Sequence, residues 1–196
     1  MASIDPLDAW LPDPAIRTVH RRAADASPDE LWAAAQAIRL DDAPTLGRLV
    51  RWRIPGTPGS LAFGEMFRRY PFVLLEEGQH SSISGLCGKI WTLQRDYPRL
   101  AGADEFRDWS QKGTVKVVFA HSIDAAGRLV SEARVSPVDR MARMRLRALW
   151  AVVGPFERLI GSEPLSAAAR RAERGRAPDP PAGSRRGTAS GAPAGR

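Results

Sequence analysis

His121 is the side chain in this sequence best placed to do chemistry. It closes the run Val117-Val118-Phe119-Ala120-His121, whose alternation puts it on the same side as Val117 and Phe119. An imidazole on an apolar face can hydrogen-bond a ligand or act as a general acid or base. It can equally be a histidine satisfied by backbone at the rim of a sheet. Ser131, expected opposite it, would add a hydroxyl. Arg145 is the second unusual placement, a lone cation in the middle of the apolar arc of a long helix. A buried guanidinium needs an acceptor, because an unpaired charge in a low dielectric is costly. Glu132, Glu76, Glu77 or a carboxylate on a ligand would serve; otherwise Arg145 snorkels past the sheet edge to water. His20 and His80 fall in a weak strand and a turn, where surface placement is expected.

Other chemistries lack their residues. There is no Gly-x-Ser-x-Gly elbow, no P-loop and no His-Glu-x-x-His. Three histidines and one cysteine are scattered without metal-ligand spacing, so neither metal nor cofactor is expected. Cys87, between Leu86 and Gly88, reads as a small buried apolar residue and excludes an internal disulfide framework. Glu132 and Arg134 share a strand face and can pair with each other and with Lys116 on the outside. Asp13, Asp41, Asp42 and Asp139 sit beside element ends and read as caps or turns. No catalytic apparatus is evident.

The elements that must hold these residues fit one domain of 196 residues, 43% hydrophobic and 26% charged. No run nears the roughly 20 apolar residues of a membrane span. The N-terminus lacks a basic segment followed by an apolar core, so no secretory signal is expected and a cytoplasmic setting is the simplest reading. The net charge is +7, but residues 1–139 carry 17 Lys/Arg against 18 Asp/Glu, whereas residues 140–196 carry 12 Arg against 4 acids. The body is near neutral and the excess sits in the C-terminal part. With 26 Arg and only 3 Lys, the basicity is a skew that genome composition can produce without any function, and nucleic acid is not expected as a partner.

The tail over residues 175–196 has no Leu, Ile, Val, Phe, Tyr or Trp and is expected to be disordered, leaving one domain over residues 1–174. Ser27-Pro28-Asp29-Glu30 is a capping box, and Leu31, Ala34, Ala35 and Ile38 form the apolar stripe of a helix ending near Leu40. A second short helix fits 45–53, before the breaking run Pro55-Gly56-Thr57-Pro58-Gly59. Strands are expected over 15–23, 72–77 and 82–93, and a short helix over 103–109. A hairpin joins 114–123 to 129–136. A three-residue loop closed by Gly127 in the left-handed region pairs Ile123 with Leu129, His121 with Ser131, Phe119 with Ala133 and Val117 with Val135. That register puts apolar residues opposite one another; a two-residue loop would set Phe119 against Glu132.

The last element is a long helix over 139–174, kinked or briefly broken at Gly154-Pro155 because Pro155 has no N–H for the carbonyl of Ala151. Projected at 100° per residue, Arg140, Arg143, Arg147 and Arg158 fall within about 60°. Most of the remaining circumference is apolar. A helix with so wide an apolar arc is covered on several sides, either by a strongly curved sheet wrapped around it or by a sheet and a second copy, so a homodimer is one of two arrangements left open.

The order of elements, with Ala26-Ser27-Pro28-Asp29-Glu30-Leu31-Trp32, Phe72-Val73-Leu74-Leu75-Glu76-Glu77, Gly85-Leu86-Cys87-Gly88-Lys89-Ile90-Trp91, Glu105-Phe106 before Gly113-Thr114-Val115-Lys116, Ser131-Glu132-Ala133-Arg134-Val135 and an Arg-rich helix with Trp150 and Pro155-Phe156, resembles the START-like SRPBCC superfamily, in particular its small bacterial members. The resemblance covers residues 7–173. It implies an α+β helix-grip fold, a curved antiparallel sheet gripping the C-terminal helix with two short helices after the first strand, and an apolar cavity between sheet and helix. It implies no reaction.

Trp91, Phe119, His121, Ser131, Arg145, Leu149, Trp150 and Phe156 are the expected lining of that cavity, plain core being the alternative for the aromatics. The leading expectation is therefore a non-catalytic binder of a small hydrophobic ligand, lipid-, polyketide- or aromatic-like, with any acidic group facing Arg145. The rivals are a cyclase or hydrolase with His121 as acid/base, and an interaction module that docks the Arg-rich helix and tail onto an acidic partner.

Overall fold

A computed structural model of the chain describes residues 6–92 and 97–176, apart from the side chains of Arg53, Phe156, Arg158, Leu159, Ile160 and Arg176. The described residues form an α+β fold around one five-stranded antiparallel sheet. The strands are β1 (Ile16–Arg22), β2 (Val73–Gly78), β3 (Ser81–Gly88), β4 (Val115–Ile123) and β5 (Leu129–Pro137), ordered β1-β5-β4-β3-β2. The helices are α1 (Pro28–Ala37), α2 (Pro44–Arg53), α3 (Phe63–Met66), α4 (Ala103–Asp108) and α5 (Arg140–Arg176). No helix among the described residues is long and apolar enough to cross a membrane. The tail from residue 177 onward lies outside them.

Local chemistry explains most boundaries. Ser27 Oγ accepts the Glu30 N–H at 3.3 Å, while the Ser27 N–H donates to Glu30 Oε2 at 2.8 Å. The capping box starts α1, which buries Leu31, Ala34 and Ala35. It stops at Ala37, short of the expected Leu40, because the backbone beyond pairs elsewhere: the Phe63 N–H donates to the Ile38 carbonyl at 2.8 Å. At the β4–β5 hairpin, Gly127 has φ +71° and every expected pair is present, from Ile123–Leu129 to Val117–Val135. β3 ends at Gly88, where φ is +143°, rather than running on to residue 93.

The two faces of the sheet are covered by different parts of the chain. On one face, Ile83, Cys87, Val118 and Ala120 pack under Phe106 of α4 and under Leu7, Trp10 and Leu11 of the N-terminal segment. Gly85 is needed there: a Cβ would stand 2.6 Å from the Phe106 ring. Arg134 is sealed beneath the same segment. Its Nε donates to Glu132 Oε1 at 2.6 Å and its Nη1 to Asp8 Oδ1 at 2.6 Å and the Leu11 carbonyl at 3.0 Å. Arg17 Nε donates to the same Glu132 oxygen at 2.7 Å, and Arg17 Nη2 to Oε2 at 3.1 Å. Glu132 and Arg134 thus pair as anticipated, but buried, and Lys116 donates instead to the Arg107 carbonyl at 2.8 Å.

The other face carries the helices. Asp139 caps α5, accepting the Ala142 N–H at 2.7 Å and the Gly113 N–H at 2.6 Å. Leu146 of α5 packs with Leu86, Val117 and Val135, and Leu165, Ala168 and Ala172 pack with α1 and Leu129. α5 runs as one helix through both Pro155 and Pro164, so of the two expected forms, a kink or a short break, the break is not present. Within the single chain it is not covered on several sides: Met141, Met144 and Val152 are more than half exposed. Its wide apolar arc is therefore partly a solvent face.

Candidate functional site

Between the helix-bearing face of the sheet, α2, α3 and α5 lies a cavity of about 370 Å³. Strand pairing orders its floor into three cross-strand rows. The first is Leu86, Val117, Val135 and Ile16; the second is Phe119, Ala133 and Thr18; the third is His121, Ser131 and His20. Directly paired residues share a face, so each row points one way. Polarity rises along the strands, from an apolar row to one with a hydroxyl and two imidazoles. Past the third row, Ile123 and Leu129 close the face under α1 and the distal part of α5.

The walls are aromatic. Phe67 sits 4.9 Å from Phe72 and 5.3 Å from Phe119, ring centre to ring centre, and Phe63 is 4.9 Å from Phe67. His121 is wedged among them, 5.1 Å from Phe63 and 4.7 Å from Phe67. Burial pushes its imidazole down to about 4, so it is neutral near pH 7. No described residue hydrogen-bonds its ring. Leu46, Leu49 and Val50 of α2, with Ile54 just past its end, form one side of the cavity, and Trp150 and Val153 of α5 another. At the α5 end of the third row, His20 Nε2 meets Glu157 Oε1 at 2.6 Å.

α2 is held by its neighbours rather than by its own sequence. Ala43 provides no side-chain cap, and Glu163 of α5 takes its place, accepting the N–H groups of Thr45 at 3.1 Å and Leu46 at 2.9 Å.

Of the expected lining residues, Phe119, His121, Ser131 and Trp150 line the cavity. Trp91 and Leu149 do not. With β3 ended at Gly88, Trp91 falls in a turn and packs in the Leu86–Val117–Leu146 cluster. Leu149 is half-buried on α5, turned aside from the cavity-facing Trp150 and Val153. Arg145 is corrected outright: it is exposed, its guanidinium 6.0 Å above the Trp91 ring, because the buried seam of α5 runs through Ala142 and Leu146. The acids named as its acceptors are taken: Glu132 by Arg17 and Arg134, Glu76 by Trp10 Nε1 at 2.7 Å, and Glu77 by Arg68. The side chain of Phe156 lies outside the described residues. His20, expected on the surface, is mostly enclosed. Its place depends on Glu157, 137 positions away, which no local pattern signals. Phe63, Phe67 and Phe72 also escaped the sequence reading, although the four-residue spacing of the first two was a usable sign of one helical face. Cys87 lies on the opposite face, its thiol pushed up to about 12 by burial.

The described residues contain no cluster of metal-binding side chains. No protein-family model and no curated protein matches the sequence. Among solved structures, a protein of Mesorhizobium loti is similar at 13% identity and TM-score 0.35, with 81% of this chain and 98% of that one covered. A protein of Thermus thermophilus is similar at 9% identity and TM-score 0.32, with 82% and 99% covered.

Proposed function

We propose that this chain is a helix-grip domain of the START-like kind that binds a small hydrophobic ligand between its sheet and its C-terminal helix, in the cytoplasm and without transforming it. The observation that carries this reading is the cavity of about 370 Å³, walled by Phe63, Phe67, Phe72, Phe119 and Trp150. Ligand sites are concave, mostly apolar and furnished with a few polar groups. An imidazole pushed to about 4 is a weak base near neutral pH, so the cavity is better suited to holding a molecule than to turning it over. Thermal-shift and native mass-spectrometry screens of medium-chain lipids, polyketide-like phenols and bicyclic aromatics should give a stabilised, ligand-bearing species. Ala133→Leu, which grows a side chain into the floor, should weaken it. No adduct and no stabilisation across all three classes would sink the reading.

A second reading has its own observation. The first half of α5 exposes Arg140, Arg143, Arg145 and Arg147 beside Met141 and Met144, and no acid occurs between Arg140 and Phe156. That surface suits an acidic protein partner, or a second copy covering the methionines. Salt-sensitive binding to an acidic polypeptide, abolished by reversing two of the arginines, would favour it.

A further inference from the structure

The described lining of the cavity offers polar groups but no lysine or arginine. Its only carboxylate is Glu157, already bonded to His20 at 2.6 Å. His121 and Ser131 are direct cross-strand partners on the floor. Side chains so paired stand about 5 Å apart. Neither side chain has a hydrogen-bond partner among the described residues. A neutral imidazole offers one N–H donor and one lone pair, and a serine hydroxyl can donate or accept. An oxygen placed between them accepts from one side and, if it carries a proton, donates to the other. A carboxylate there would be stripped of water beside Phe63 and Phe67, with no lysine or arginine among the described lining residues to meet it and Glu157 nearby. Transfer of an unpaired anion into such surroundings is strongly unfavourable.

We infer that the cavity selects uncharged amphiphiles: an apolar or aromatic body lies over Val117, Phe119 and Val135, its hydroxyl or carbonyl oxygen sits between His121 and Ser131, and carboxylates are rejected. This rests on reading the cavity as a ligand site. It also reverses the expectation of an acidic group facing Arg145. Orientation follows as well. The polar end lies toward the end of the floor closed by Ile123 and Leu129, and the apolar end toward Leu86 and Ile16.

Isothermal titration of the full chain at pH 7.5 with two matched series tests this. One series is 2-naphthol, 2-acetylnaphthalene, 2-methylnaphthalene, 2-naphthoate and 2-naphthylmethylammonium; the other is 1-decanol against decanoate. The alcohols and the ketone should bind at least about tenfold more tightly than the carboxylates, a difference of about 1.4 kcal/mol. They should also bind more tightly than the hydrocarbon. Ser131→Ala and, separately, His121→Phe should bring 2-naphthol down toward 2-methylnaphthalene while the hydrocarbon keeps its affinity. Ser131→Ala removes only a hydroxyl, so it keeps the test sharp if His121→Phe fails to fold. Equal binding of 2-naphthol and 2-naphthoate, tightest binding of the ammonium compound, or a preference untouched by Ser131→Ala would overturn the inference while leaving the ligand site standing. Binding by none of the compounds would remove the site and the selectivity together.

Discussion

His20 Nε2 lies 2.6 Å from Glu157 Oε1, tying the edge strand β1 to the middle of α5 at the rim of the cavity. Both side chains are largely screened from water, at 14% and 24% exposure, so removing one leaves the other with an unmet hydrogen bond. Glu157→Ala should cost about 1–2 kcal/mol in chemical denaturation. Glu157→Gln, which can still bond the ring, should cost less than half of that. Equal losses would show that the contact contributes nothing beyond packing.

Glu163→Ala should act on α2 before it acts on the whole fold. The carboxylate is the only described side chain capping the first turn of α2, through Thr45 and Leu46. Caps contribute about 1 kcal/mol. Native-state hydrogen exchange should therefore quicken for the amides between Leu46 and Arg53 while the sheet amides of β4 stay protected. Because Leu46, Val50 and Ile54 form one wall of the cavity, affinity for any bound amphiphile should fall in the same variant.

Arg134→Ala should be destabilising, by about 3 kcal/mol, since it leaves the buried Glu132 with Arg17 alone and the Leu11 carbonyl without its donor. Replacing the pair together, as Arg134→Met with Glu132→Leu, should recover part of that loss, because a packed apolar pair needs no desolvated charge. Urea melts of the two proteins check this. A double variant worse than the sum of its single ones would count against a charge-based account.

His121 gives stability a specific pH dependence. In the unfolded chain it titrates near its ordinary value of about 6.5, whereas burial holds it at about 4 in the fold. Between those values the unfolded chain carries the extra proton, so acid favours unfolding. Stability should fall as the pH drops from about 6.5 to about 4, by at most roughly 3 kcal/mol, with no further change from this group above or below that window. In His121→Gln the slope should be shallower by that amount. Asp139, whose carboxyl is held low by the N–H groups of Ala142 and Gly113, titrates in both proteins and cancels in the comparison. Parallel curves would show that His121 is solvated.

What could be read directly from the chain was what neighbours in sequence decide. The capping box at Ser27–Glu30 needs four consecutive residues, and the register of β4 and β5 needs one glycine in a short loop and the alternation on either side of it. Those local rules placed His121 opposite Ser131 and Phe119 opposite Ala133, hence half of the cavity floor. The tertiary structure alone decided the other walls, because they depend on which distant segments share a surface. His20 becomes a rim residue only by meeting Glu157, and α2 becomes a wall only because Glu163 caps it from another helix. Arg145 shows the same limit from the opposite side. Helical periodicity grouped the apolar residues of α5, but which of them face protein depends on what packs against the helix: Ala142 and Leu146 are buried, whereas Met141 and Met144 are exposed.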